Sequence, residues 1–203
     1  MRLLLAPVNS TTITISRFLV LCLCLSSLST LSACNSVSPS AIPDFQRIPT
    51  SIDNQQIVSR LNWPQGSGMS MLAILEMHNE RLVLAGLTTT GLSLFNVELK
   101  PGKLSAESKF QLPDGITLRQ LLKELVLVYG TLEDIRKLLL LPWHIEEVGF
   151  EEGIVRKIKF GGQLKVKIRY DNKQEKDSRV ERFGPQGSSQ GSYLVEHLQS
   201  SSI

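Results

Sequence analysis

Three cysteines and three histidines are all that this 203-residue chain holds of those two residue types. Cys22 and Cys24 lie inside an apolar N-terminal run, Phe18 to Leu25, so Cys34 is the one cysteine beyond it. A lone thiol closes no intrachain disulfide and makes no zinc-ligand spacing. His78, His144 and His197 stand far apart in sequence, with neither an HExxH string nor a Gly-x-Ser-x-Gly elbow nearby. Ser93 is flanked by leucines and has no base in its neighbourhood. The sequence therefore predicts no enzyme, no metal site and no cofactor. An excess of one charge is missing too: 22 basic residues face 19 acidic ones. A nucleic-acid partner, which calls for a concentrated basic face, is not expected.

What is present begins at the N-terminus. Arg2 and Arg17 are the charged residues of the first 33 positions, and the apolar run after Arg17 is shorter than the ~20 residues that span a bilayer. A basic start, a short apolar core and a small-residue cleavage region make a secretory signal. The cleavage region Leu31-Ser-Ala-Cys34 resembles the lipobox of bacterial lipoproteins. That resemblance implies removal of residues 1–33, lipidation of Cys34, and a membrane partner held through N-terminal acyl chains. Several chains give stable anchoring, at ~0.8 kcal/mol per buried methylene. Asn35 follows the cysteine, where Asp would imply retention in the inner membrane of enteric bacteria. The expected location is the periplasmic face of the outer membrane. Loss of residues 1–33 removes two positive charges and leaves a near-neutral chain of about 170 residues, the size of one domain.

Residues 34–55 are rich in Ser, Pro, Asn and Gln and read as a flexible tether. Residues 56–199 carry the folded domain, and 200–203 a loose tail. Strands are predicted over Ile57–Trp63, Met69–Met77, Arg81–Leu87, Leu92–Leu99 and Lys103–Phe110, with turns at Gln65–Gly68, His78–Glu80 and Thr88–Gly91. Then the period changes. Leu118, Leu121, Leu122, Leu125 and Val128 fall at helical spacing, with Arg119, Gln120, Lys123 and Glu124 on the other side. Thr117 and Gln120 form a capping-box pattern, and Gly130 stops the helix. A second helix is expected from Thr131 to Leu141, ended by Pro142. Strands return at Ile145–Phe150, Ile154–Phe160, Leu164–Tyr170, Arg179–Phe183 and Gly191–Leu198, with Gly161-Gly162 as a two-residue hairpin.

Ten strands around an inserted helical segment predict a mainly β, α+β fold, and a sheet that wide tends to curl. Met71, Ala73, Leu75 and Met77 share one strand face while Leu72 and Ile74 occupy the other. Apolar residues on both faces call for cover on both faces.

At this point several stretches carry a resemblance. They are Arg81-Leu-Val-Leu-Ala-Gly-Leu with Gly91-Leu-Ser-Leu-Phe, Leu118-Arg-Gln-Leu-Leu, Ile154-Val-Arg-Lys-Ile-Lys-Phe-Gly-Gly and Leu164-Lys-Val-Lys-Ile-Arg-Tyr-Asp. The chain resembles the LolA/LolB type of periplasmic lipoprotein carrier. It is more closely similar to uncharacterised outer-membrane lipoproteins encoded in aryl polyene gene clusters. The resemblance runs from about Gln56 to Leu198 and is diffuse, with no invariant catalytic string. It implies a half-open antiparallel β-barrel of about ten strands, closed by a helical lid and holding acyl chains. In one respect the chain departs from it. A loop that projects a Leu before a Gly in LolB-type receptors has Thr90 before Gly91 here.

On that resemblance, Met71, Leu75, Leu82, Leu84, Phe95, Val97, Leu121 and Leu125 are candidates to line a ligand cavity. The residues by themselves favour a packed core, since buried Leu and Met are usually core. Glu146, Glu147, Glu151 and Glu152 read as a solvated strand end. Lys157, Lys159, Lys165, Lys167 and Arg169 read as the solvated face of a hairpin, opposite Ile158, Phe160, Val166 and Ile168. Two roles stay open. One is binding of a lipid or polyene-lipid amphiphile and its transfer to the outer membrane, with a periplasmic carrier protein as partner. The other is a structural lipoprotein that docks a protein. An accessory thioester hydrolase is a third, resting on no motif.

Overall fold

The computed structural model describes residues 43, 49–64, 68–101, 103–171 and 177–202, all within one compact unit that begins at Pro39. The signal, the Cys34 lipidation site and most of the expected tether lie outside the described residues. Ten strands form one antiparallel sheet. They are β1 (Gln55–Asn62), β2 (Ser70–His78), β3 (Arg81–Leu87), β4 (Ser93–Lys100), β5 (Lys103–Ser108), β6 (Trp143–Phe150), β7 (Gly153–Phe160), β8 (Gln163–Tyr170), β9 (Ser178–Phe183) and β10 (Ser189–Ser202). Helices α1 (Leu118–Tyr129) and α2 (Leu132–Leu138) join β5 to β6.

The spatial order is β5-β4-β3-β2-β1-β10-β9-β8-β7-β6. Each half is a meander of hairpins, and the first and last strands pair at the centre. The edges β5 and β6 are not bonded to each other, so the sheet is open. Local chemistry explains the meander. Asn79 and Glu80 both take positive φ (51° and 59°), as do Gly161 and Gly162 (55° and 83°). Two successive positive φ values are what a two-residue hairpin turn requires.

Alternation sets the core. In β2 the residues Met71, Ala73, Leu75 and Met77 are buried, while Leu72 and Ile74 on the reverse face are half-buried. The same pattern runs through β1, β3 and β9. One continuous apolar cluster joins these strand faces to α1.

Several features differ from the sequence expectation. The chain is already docked before position 55: Pro49 and Ile52 are buried, and Asp134 of α2 accepts from Ser51 N at 2.8 Å. Strand β10 runs on to Ser202, because Gln55, Gln56 and Ile57 of β1 continue the ladder opposite Ser202, Ser201 and Ser200. Helix α2 stops at Leu138 instead of Leu141, with Leu139 already extended. In β8, Ile158 faces Val166 while Lys159 faces Leu164. Lys165 is the extra residue of that bulge, which breaks the expected alternation and buries its side chain.

Candidate functional site

The site grows from α1. Thr117 Oγ1 accepts from Gln120 N at 3.2 Å, and Gln120 Oε1 accepts from Thr117 N at 2.9 Å. This reciprocal cap starts the helix. At its end, a Cβ on Gly130 would lie 2.7 Å from the Ile135 side chain and 2.9 Å from Val126 O, so only glycine lets α2 fold back so tightly. Between these points all nine residues from Leu121 to Tyr129 are buried. A helix without a wet face is not the amphipathic helix that the sequence predicts. Lys123 and Glu124, expected on its solvent side, are 6% and 0% exposed.

Arginine and tyrosine side chains from the sheet hold this helix. Arg156 of β7 donates to Leu127 O and, at 2.8 Å, to Gly130 O. Its other nitrogens grip Glu147 of β6 at 2.8 and 2.6 Å. Tyr170 of β8 donates to Val128 O at 2.8 Å. These donors satisfy last-turn carbonyls that a buried helix end would otherwise leave bare. Burial pushes the Tyr170 phenol above its ordinary range. Tyr129 meets Ser59 of β1 through a hydroxyl–hydroxyl hydrogen bond, and burial pushes its phenol up to about 12.

At mid-helix is a buried polar cluster. Tyr193 of β10 donates to Glu124 Oε2 at 2.7 Å, and Arg182 Nε of β9 lies 4.0 Å from Glu124 Oε1. Trp63 stacks on the Tyr193 ring at 5.2 Å. Arg182 and Tyr193 are 5% and 0% exposed. Burial pushes the Glu124 carboxyl up to about 7, against the opposing pull of Arg182 and the Tyr193 hydrogen bond. Tyr193 is raised as well, by burial first and then by the carboxylate beside it.

The eight cavity candidates belong to one packed body. Met71, Leu75, Leu82, Leu84, Phe95, Val97, Leu121 and Leu125 are each 0–2% exposed and share the continuous core. With α1 in place they form core, and any ligand there requires the helix to move. Sequence reasoning brought these residues together but missed Glu124, Arg156, Arg182 and Tyr193. A usable signal existed: Val126 and Leu127 fall on the side that a solvated face would leave polar.

The other predicted features lie apart. His78, His144 and His197 sit on β2, β6 and β10, and Ser93 is exposed at the start of β4. Among the described residues no three His, Cys, Asp or Glu side chains gather as a metal site. The acidic cluster is partly structural, since Glu146 pairs with Lys159 at 2.7 Å and Glu147 with buried Arg156. On the reverse face Val148, Phe150 and Val155 floor a groove of about 290 Å³ beside Lys157, Lys167 and Arg169. Lys167 and Arg169 are engaged by Glu181 and Asp171 at 3.0 and 2.9 Å, and Arg169 covers the Phe150 ring. Leu92, Leu140 and Leu141 are 69%, 57% and 95% exposed. Leu92 follows β3 and the pair precedes β6; the antiparallel order puts both positions at one end of the sheet.

Compared with known proteins, residues 53–185 match the sequence profile of a family described as "protein of unknown function (DUF3261)", a span that takes in β1 to β9 and both helices. No curated protein matches the chain.

Proposed function

The chain belongs to the DUF3261 family of proteins of unknown function, and from that premise we propose that it is a lipid-handling lipoprotein of the outer membrane. In this reading Cys34 carries the acyl anchor. The apolar tail of a lipid or polyene-lipid amphiphile enters the seam between α1 and the sheet, and a periplasmic carrier protein is the partner in transfer. No bond is made or broken. Burial of the tail, at ~25 cal/mol per Å², drives uptake, and movement of α1 releases it.

One observation carries the proposal: from Leu121 to Tyr129 α1 is buried on every side, against a sheet that stays open at both edges. The helix is about 18 Å long. It contacts β4 and is also bonded by Arg156 of β7. On a flat sheet, seven strand spacings would separate those two strands by roughly 34 Å. In this reading the sheet bends partly around the helix, as in the half-open barrel of LolA/LolB-type carriers. The same comparison extends to the lipoproteins of aryl polyene clusters. A helix that wide sheet partly encloses is a removable filling for a greasy trough.

The test uses the full-length protein, purified from membranes in mild detergent. Native mass spectrometry should show a noncovalent amphiphile beside the covalent acyl mass, and a Cys34→Ser variant should lose the acyl mass and the membrane fraction. Protein that never carries such a ligand, even after incubation with fatty acid, rejects the reading.

A second role has its own support. The eight candidate residues are closely packed, and Leu92, Leu140 and Leu141 project at one end of the sheet. A structural lipoprotein that docks a protein through that apolar end would show both features. Ligand-free protein that co-purifies with a partner, and loses it on Leu141→Ser, would favour this role.

A further inference from the structure

We propose that the end of the sheet bearing Leu140 and Leu141 is a membrane-contact face, which rests on an anionic bilayer and sinks its exposed apolar side chains between the headgroups. The inference rests on the anchored lipoprotein of the preceding reading and needs no cargo. It gives to a lipid surface the end of the molecule that the docking role gives to a protein.

Three observations carry it. First, exposed apolar bulk is segregated. Six large apolar side chains are exposed among the described residues, and four of them, Leu92, Phe110, Leu140 and Leu141, stand at this end. Phe110 belongs there because β5 ends beside the start of β4, where Lys109 N donates to Leu94 O at 3.1 Å. The four form two tips. Leu92 and Phe110 lie towards the β5 edge of the open sheet, and Leu140 and Leu141 lie beside the β6 edge. Backbone bonds brace both tips. Thr88 N donates to Leu92 O at 2.8 Å, while Trp143 N and Gly161 N donate to Leu140 O and Pro142 O at 2.9 and 3.1 Å. A bilayer is flat and meets two separate, braced tips at once. Contiguous apolar patches of this kind mark interaction surfaces.

Second, charge is segregated along the same axis. The loops of the apolar end are residues 63–69, 88–92, 109–117, 139–142, 161–162 and 184–188, and Asp114 is their one acidic residue. Exposed Lys109 adjoins Phe110, and exposed Arg136 lies in the helical turn before Leu140. The loops of the opposite end carry Asp53, Glu80, Glu151, Glu152, Asp171 and Asp177. An anionic headgroup surface attracts the first end and repels the second, so charge orients the molecule. Third, the leash is short. Pro43, nine positions after Cys34, is already buried in the folded unit. Nine extended residues reach at most about 32 Å. An eight-residue strand of the sheet is itself about 27 Å long. The acyl anchor therefore keeps the domain within about its own height of the bilayer, close enough for one face to rest on it.

The test exploits the cysteine content. Once the signal is removed and Cys34 is acylated, a thiol introduced on the domain is the only free one. Leu141→Cys, Leu92→Cys and Glu152→Cys each replace an exposed side chain, so the fold should survive, and unchanged melting temperatures check this. Each full-length lipoprotein is labelled with an environment-sensitive fluorophore. It is then reconstituted in nanodiscs of phosphatidylethanolamine and phosphatidylglycerol, with and without spin-labelled acyl chains. The proposal expects blue-shifted emission at positions 141 and 92 and loss of most of it to the spin label, with neither change at position 152. Water-like emission at all three positions, or quenching at 152 instead, overturns the membrane face and leaves the carrier reading standing. A co-purifying protein that shields position 141 from the dye also overturns it and returns this end to the docking role. If mass spectrometry finds no acyl group on Cys34, the anchored reading fails and the proposal falls with it.

Discussion

The Glu124 carboxyl couples the fold to pH. Its folded pKa is about 7 against an ordinary 4.5, chiefly because burial disfavours the charged form. A raised carboxyl binds its proton more tightly when folded. Its contribution is fully present below pH 4.5 and is lost as pH rises through about 7. Across that window the loss amounts to roughly 3 kcal/mol. Glu124→Gln cannot titrate. Melting temperatures taken from pH 4.5 to 8 should therefore fall more steeply for the wild type than for the variant, with the two proteins closest at the acid end. Parallel curves would mean that the carboxyl does not change protonation in this range. Gly86 shows the same sensitivity to fit: a Cβ there would run into the Phe95 ring across the strand pair, so this strand glycine serves packing.

At the scale of elements, α1 depends on what grips its last turn. Arg156 supplies donors to Leu127 O and Gly130 O while its remaining nitrogens hold Glu147. Lysine keeps the charge but cannot present that planar fork. Arg156→Lys should destabilise the protein by about 1–3 kcal/mol, the cost of buried carbonyls left without donors. Amide exchange should speed up first at Val126 to Gly130, before the sheet responds. Uniform acceleration everywhere would assign Arg156 to the core as a whole instead. These grips also explain what could be read in advance. Strands, hairpins and both helices were legible because each is specified locally, by alternation in Met71–Met77, by Gly161-Gly162, and by Thr117 with Gln120. The burial of Glu124 was not legible. It goes with Arg182 and Tyr193, which lie 58 and 69 positions further along and reach α1 only through sheet pairing. The Lys165 bulge was hidden for a related reason, since periodicity assumes a register that only the partner strand β7 can shift.

For the whole molecule, the open question is which part moves. The central pairing of β1 with β10 joins residues about 140 positions apart and is flanked on both sides by four further strands. Neither β1 nor β10 can leave without breaking that long-range ladder. Helix α1 differs: side chains hold it, and its connections on both sides are loops or turns. In the carrier reading it is the unit that opens, and such units open at less than the global free energy. Native-state hydrogen exchange on the full protein should find Leu121 to Tyr129 exchanging through an opening cheaper by a few kcal/mol than the one that releases β1, β2 and β10. Low concentrations of denaturant should separate the two classes. Added palmitate should slow exchange in the strands facing the seam while leaving α1 no better protected, because the ligand takes the helix's place. If the helix amides exchange only when the sheet itself unfolds, the seam has no gate. The buried cluster around Glu124 would then be a structural pin, and the exposed leucines at the sheet's end would be the part of the protein left to meet a partner.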